Sequence, residues 1–268
     1  MPSSAVVTGA APAWVGTRLR DSRHRGEVIH AGSDAVYFRS HDDVIGVVSR
    51  HATSIPCTIS TRLDTLDDLH DRGRPPAVGD EVVIGSGLVD FGRSQVRVAR
   101  YVDFRMRAVD PGAALGMRDR LERSIGGSSR PTEIDAVVLA TLRDRPVDAL
   151  VEMLGKGSGL TPFGDDVVCG MIATLLAVAD PCAPAVCERA VALAPVRTTS
   201  LSATLLCRSA QGDVLPAFAD VVSALIDQPD HAAQRIARLL TIGHTSGAGM
   251  LLGLHCALDH IITRSCCP

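Results

Sequence analysis

Three segments of this chain carry small, hydrogen-bonding residues directly into apolar, helix-like runs. They read GKGSGLTPFGDD (155–166), RTTSLS (197–202) and GHTSGAG (243–249). The first amides of a helix have no intrahelical acceptor and carry the positive end of its dipole. A leading loop of small residues lets an anion approach them closely. Gly155, Gly157 and Gly159 alternate and Gly164 follows. A simple helix cap needs one glycine, so this alternation points to close backbone approach or positive φ. The hydroxyls of Ser158, Thr161, Thr198, Thr199, Ser202, Thr245 and Ser246 add donors, with Gly247 leaving room beside the last two. Lys156, the only lysine in the chain, and Arg197 add charge, arginine being better shaped for bidentate contact. Were these three termini to converge, they would form a pocket for phosphate or a small carboxylate. The competing reading is ordinary capping, for which Ser, Thr and Asp at N-caps and Gly after a helix suffice.

Asp165 and Asp166 also have two readings. One of them caps the helix that follows, or both present carboxylates to an incoming amine or to magnesium. Two acids do not define a metal site, so no metal is assigned and magnesium stays open as a cofactor. His244, inside the third segment, is a proton donor, an anion contact or a structural hydrogen-bond partner. The first segment is not a Walker A loop, because no lysine follows its last glycine, nor a dinucleotide fingerprint, because a helical run precedes it. GxSxG and Cys/His nucleophile arrangements are missing from the sequence. Its eight cysteines form no CxxC pair or Cys/His metal spacing.

The elements that must hold these segments differ along the chain. Between residues 26 and 110 lie short β-branched runs, EVIHAGSDAVYFRS, VIGVVSR, TSIPCTIST, DEVVIGSGLVDFG and SQVRVARYVDFRM, separated by turn residues. They predict a small antiparallel sheet or partly closed barrel. DDLHDRGRPPAVGD reads as an exposed connection. Beyond DPGAALG, apolar residues recur at helical spacing. Helices are expected over 115–125, 133–142, 147–154, 166–179, 183–193, 200–211, 213–226, 232–240 and 246–262. The expected fold is thus α+β: an N-terminal β domain (1–112) and a C-terminal helical domain (113–268) carrying the three loops. Of 268 residues 46% are hydrophobic, enough for a substantial core. A net charge of −3 and 3% aromatic residues argue against nucleic-acid binding. No apolar run is long enough to span a bilayer and the first twenty residues do not read as a signal peptide, so a reducing cytoplasm is the expected compartment.

GKGSGLTPFGDD, RTTSLSATLL and IGHTSGAGMLLGL resemble, in the same order, three signature segments of the AllH-like family, associated with bacterial oxamate carbamoyltransferase. Its members also begin with a β-rich segment, so the resemblance extends over most of the chain. The chain departs from the family at Lys156, where an apolar residue is usual, at Phe163, where a small one is, and at Gly249, where an acid is frequent. The resemblance implies carbamoyl transfer between phosphate and a small amide or amine acid, with FdrA-like partner subunits. It implies a phosphate clamp at Gly157, Ser158, Gly159 and Thr161, flanked by Thr198, Thr199 and Ser202. His244, Thr245 and Ser246 would then polarise the carbamoyl carbonyl or hold the acceptor's carboxylate, and Asp165 or Asp166 would take a proton or orient the amine. The same anion chemistry would serve nucleotide- or acyl-phosphate-dependent phosphoryl transfer, or a non-catalytic subunit that binds an anionic metabolite.

Overall fold

The structure, a computed structural model, describes residues 5–67, 69, 74–125 and 134–265. The chain divides into two compact units, Met1–Phe104 and Arg105–Pro268.

The first unit contains β1 (Ala5–Ala11), α1 (Ala13–Arg18), β2 (His24–Ala31), β3 (Ala35–Ser40), β4 (Asp43–Val48), β5 (Thr58–Thr61), β6 (Glu81–Gly85), β7 (Leu88–Asp90) and β8 (Ser94–Tyr101). These strands form a closed barrel in the order β1-β5-β4-β3-β2-β6-β7-β8. The expected small sheet or partial barrel is therefore corrected. The element that closes it, β1, lies ahead of the region read as β. It pairs antiparallel with β5, with Gly9 beside Thr61, and parallel with β8, with Ala5 beside Ser94. β4 and β5 are also parallel, so the sheet is not purely antiparallel. Closure removes the unpaired edges that an open sheet would expose.

Alternation sets the barrel's interior. Along β3, Val36 and Phe38 are fully buried, while Ala35 and Tyr37 are only half-buried. Val28, Ile45, Val47, Ile59, Val82, Ile84, Val89 and Val96 share their core, and Val15 of α1 and Leu19 just after it join them. The expected hairpin in VGDEVVIGSGLVDFG is β6–β7. Its two-residue turn puts Ser86 and Gly87 at φ 55° and 80°, the double positive φ that matches strand twist.

The second unit contains α2 (Ala114–Ile125), α3 (Ala136–Asp144), α4 (Pro146–Met153), α5 (Phe163–Ala177), α6 (Ala183–Arg197), α7 (Ser200–Ala210), α8 (Pro216–Asp227), α9 (Ala232–Leu240) and α10 (Ser246–Ser265). Ends differ from expectation where a cap decides them. Asp135 accepts from the Val137 amide at 2.7 Å and starts α3, whereas Glu133 lies outside the described residues. Pro216 at the first helical position starts α8 three residues later than expected. α5 starts at Phe163, so Asp165 and Asp166 are within its first turn and Pro162 occupies the N-cap. The reading in which one of the two acids caps the helix is thereby overturned.

α5 is the buried axis of this unit; all of its residues except Leu176 are buried. A helix that is apolar on every side belongs inside. Its closest neighbour is α10, because glycines let the two backbones touch. A Cβ on Gly253 would lie 2.0 Å from the Val167 carbonyl oxygen, and one on Gly170 would lie 2.2 Å from that of Met250. α4, α6 and α7 pack around the remaining faces. Among the described residues no helix is long and apolar enough to cross a membrane.

The end of α5 carries a local strain. The Asp180 amide reaches back to the Leu175 carbonyl at 2.8 Å, and the Ala179 amide reaches that of Leu176 at 3.1 Å. This arrangement needs a left-handed residue, a role glycine usually fills. Here it is Ala179, at φ 54°. Left-handed backbone costs a non-glycine residue about 1–2 kcal/mol, partly offset by the lower unfolded-state entropy of alanine. Ala179→Gly is expected to stabilise the protein by about 0.5–1 kcal/mol, read as a rise in the midpoint of thermal unfolding. An unchanged or lower midpoint would show that this turn is relaxed.

Candidate functional site

The three segments meet at the start of α5. Asp165, fully buried, is the junction. Its Oδ1 accepts from the Gly155 amide at 2.7 Å. Its Oδ2 accepts from the Ser202 hydroxyl at 2.6 Å and from the Thr198 hydroxyl. One carboxylate thus fastens the first loop to α7. Burial raises its pKa, and the hydrogen bonds from Ser202, Thr198 and Gly155 pull it back only in part. Thr199 caps α7 by accepting from the Ser202 amide at 3.1 Å, and its hydroxyl donates to the Leu160 carbonyl at 2.6 Å. The third segment joins through Thr161 and Ser246, whose hydroxyls are 3.0 Å apart.

The local folding of each segment follows from where side chains cannot fit. At Gly155, with φ 79°, a Cβ would lie 2.0 Å from the Arg197 carbonyl oxygen, so only glycine lets this loop lie against the end of α6. At Gly247 a Cβ would lie 1.9 Å from the Leu239 carbonyl oxygen, which seats the start of α10 against the end of α9.

Asp166 lies beside this junction and is 7% exposed. Its Oδ2 has no hydrogen-bond partner. Burial pushes its pKa up to about 8; the Ser246 hydroxyl counters this, the charge of Asp165 adds to it, and the Thr161 hydroxyl counters it further. At neutral pH Asp166 is therefore mainly a neutral acid with one oxygen unengaged. A group poised near the working pH can give up or take a proton at small cost.

The outer part of the first loop is of a different kind. Lys156, Gly157, Ser158, Gly159 and Leu160 are exposed. Gly157 and Gly159 have φ of 114° and 92°. Among the described residues the amides of Gly157, Ser158 and Gly159 donate to no backbone carbonyl. Successive free amides in such a turn make an anion-binding concavity. Arg197 is exposed at the end of α6 and His244 on the turn before α10. Thr245 is half-buried, and its carbonyl accepts from the Gly249 amide at 2.9 Å.

The residues singled out in the sequence therefore separate by role. Gly155, Thr198 and Ser202 spend their donors on Asp165, and the Gly164 amide is taken by the Lys156 carbonyl at 2.8 Å. The Asp165 and Asp166 amides of α5 likewise have an acceptor in the Pro162 carbonyl, at 3.0 and 3.3 Å. The amides of 157–159, with Lys156, are what stays open. Gly170 and Gly253 were not singled out, although glycines inside otherwise apolar helical runs signal close helix contact. Two of the three departures from the family pattern prove to be neighbours. A Cβ on Gly249 would lie 2.7 Å from the Cβ of Asp166, 3.0 Å from the Phe163 carbonyl oxygen and 3.4 Å from the Phe163 ring, so the absent side chain leaves α10 close against the first turn of α5.

Residues 153–258, which include all three segments, match the model of a family described as oxamate carbamoyltransferase subunit AllH. No curated protein and no solved structure matches the chain.

Proposed function

Taking the match of residues 153–258 to the AllH family as the premise, we propose that this protein is a carbamoyltransferase subunit. It moves a carbamoyl group between phosphate and a small amide acid such as oxamate. What supports the reading is that one segment carries both an open amide turn (157–159) and a buried Asp166 with an unengaged oxygen, at a junction of three segments. The free amides and Lys156 hold the phosphate oxygens, with Arg197 placed to add charge. The neutral Asp166 does not repel the dianion, as an ionised acid there would.

In the phosphate-consuming direction a phosphate oxygen attacks the carbamoyl carbon. The bond from that carbon to the acceptor nitrogen breaks, and Asp166 delivers its proton to the leaving nitrogen. In reverse the nitrogen attacks, the carbon–oxygen bond to phosphate breaks, and the Asp166 carboxylate takes the proton. Thr245, Ser246 and His244 polarise the carbonyl oxygen as charge develops on it. Asp165 positions; it does not exchange protons. FdrA-like partner subunits in a cytoplasmic complex complete the assembly. The spending of Gly155, Thr198 and Ser202 on Asp165 favours a second reading, in which this chain binds the metabolite and a partner supplies the chemistry.

The test is phosphate-dependent carbamoyl exchange, with phosphate binding followed by calorimetry. Wild-type protein, alone or with its partner, should bind phosphate, and His244→Ala should lower turnover by more than about tenfold while leaving the fold intact. Turnover unaffected by His244→Ala removes that residue from the site. Phosphate binding without exchange, even with the partner present, selects the metabolite-binding reading. Neither binding nor exchange discards both.

A further inference from the structure

A second cluster lies at the opposite end of α5, about 20 Å from the first by helical rise. Asp180, Cys182 and His260 each direct one ligand-type atom toward the others, and all three atoms lie within 4.8 Å of one another. They come from different elements. Asp180 follows the strained Ala179 turn, Cys182 is the N-cap of α6, and His260 belongs to α10. Asp180 and His260 are 5% and 7% exposed; Cys182 is half-buried.

The imidazole is fixed in one tautomer. His260 Nδ1 lies 2.6 Å from the Arg143 carbonyl oxygen. A carbonyl only accepts, so Nδ1 bears the hydrogen. Nε2 then turns its lone pair toward Cys182 Sγ, 3.4 Å away. Metal-ligating histidines are commonly oriented in this way, the far nitrogen donating to a carbonyl or carboxylate. In a tetrahedral zinc site, with Zn–S about 2.3 Å and Zn–N about 2.0–2.1 Å, those two ligand atoms stand about 3.5 Å apart. Asp180 Oδ1 accepts from the Cys182 amide at 2.8 Å and its Oδ2 pairs with Arg264 at 3.3 Å. A carboxylate has about four acceptor positions, which leaves capacity for an ion.

Two alternatives account for less. A Cys–His catalytic pair uses the thiol and the imidazole but leaves the Asp180 carboxylate oxygen, grouped with both within 4.8 Å, without a part. A plain thiol–imidazole hydrogen bond explains the 3.4 Å but gives no part to a buried carboxylate held beside both atoms.

We propose that Asp180, Cys182 and His260 form a site for a divalent transition metal of the zinc type, with a fourth position left to solvent or a small ligand. Three protein ligands of N, O and S type suit zinc and its neighbours rather than magnesium or calcium. Binding expels the thiol proton to solvent and leaves a thiolate on the metal. The site would fasten the α5–α6 turn to the later part of α10, and it does not depend on the carbamoyl-transfer reading.

The test uses the full chain, stripped with a chelator, kept reduced without added thiols, and titrated with Co²⁺. The expected result is one equivalent bound with a thiolate-to-cobalt charge-transfer band that Zn²⁺ abolishes. Cys182→Ser and His260→Gln should lose the band and weaken Zn²⁺ binding by at least about 100-fold, beyond the 10–100-fold typical of an outer-shell partner. Cys187→Ser should keep the band. No band in the wild type, or a band that survives Cys182→Ser, overturns the site. Zinc-edge X-ray absorption on the wild type decides the matter even if a variant fails to fold. One sulfur with nitrogen and oxygen neighbours supports the site; no sulfur, or more than one, refutes it.

Discussion

Asp165→Ala is expected to cost about 3–5 kcal/mol of stability. The substitution strands three donors at once: the Gly155 amide and the hydroxyls of Thr198 and Ser202. A buried donor left unpaired costs about 1–3 kcal/mol, and the whole fold is stable by only about 5–15 kcal/mol. The hydroxyls can turn toward other acceptors, which places the total below the simple sum. Asp165→Asn keeps the volume and one acceptor oxygen, so its cost should be about half. It also removes the charge that helps to raise Asp166, so any ionisation assigned to Asp166 should move to lower pH in this variant. Denaturant unfolding gives the energies, and hydrogen exchange at the Gly155 amide reports the junction directly. A loss below about 1 kcal/mol for Asp165→Ala, with the Gly155 amide still protected, would mean that Asp165 does not hold the segments together.

Asp166→Asn should have the opposite profile, a large effect on turnover and a favourable one on stability. Removing a proton-transfer group costs about 10²–10⁴-fold in rate, and a loss of about 100-fold or more is expected here. The effect on stability follows from proton linkage. The folded-state pKa of Asp166 is about 8, against about 3.9 for an unperturbed aspartate. Between about pH 4 and pH 8 the folded state therefore binds more protons than the unfolded state. Its contribution to stability is fully present below the lower value and is lost as pH rises to the upper one, by up to about 1.4 kcal/mol per unit. Asparagine does not titrate, so the variant should gain on the wild type steadily across that window and hold a constant lead above it. Paired unfolding curves from pH 4 to 9 measure the difference. A flat difference would show that Asp166 is ionised in the folded protein throughout, and the acid role assigned to it would go with that.

The helical unit was legible in the sequence because its signals are local. Apolar periodicity marked the helices, and small polar residues marked the three loops between them. Why those loops meet was less legible. Nothing near Asp165 or Asp166 in the sequence says that two acids enter a core, because the groups that satisfy Asp165 lie 33 and 37 residues further on, at Thr198 and Ser202. The surrounding apolar run, VVCGMIATLLA, did mark a buried helix. Extending its periodicity back through Phe163 and Gly164 would have drawn both acids inside. The barrel was less legible still. Strand propensity registered Val- and Ile-rich β4 and β6, and β3 with its Val36, Tyr37 and Phe38. AVVTGAA of β1, four of its seven residues alanine or glycine, passes equally well for a loop, and closure needs that strand between β5 and β8.

The pairing of β1 with β8 also has a temporal consequence. Ala5 lies beside Ser94 and Ala11 beside Tyr101, so the barrel's first strand in chain order waits for its last before that ladder can form. Long-range pairings of this kind fold slowly, because loop-closure entropy is spent before any contact returns it. During synthesis the apolar faces of β3 and β4 are already out while the seam is still open, and it is in that interval that a chaperone has something to hold.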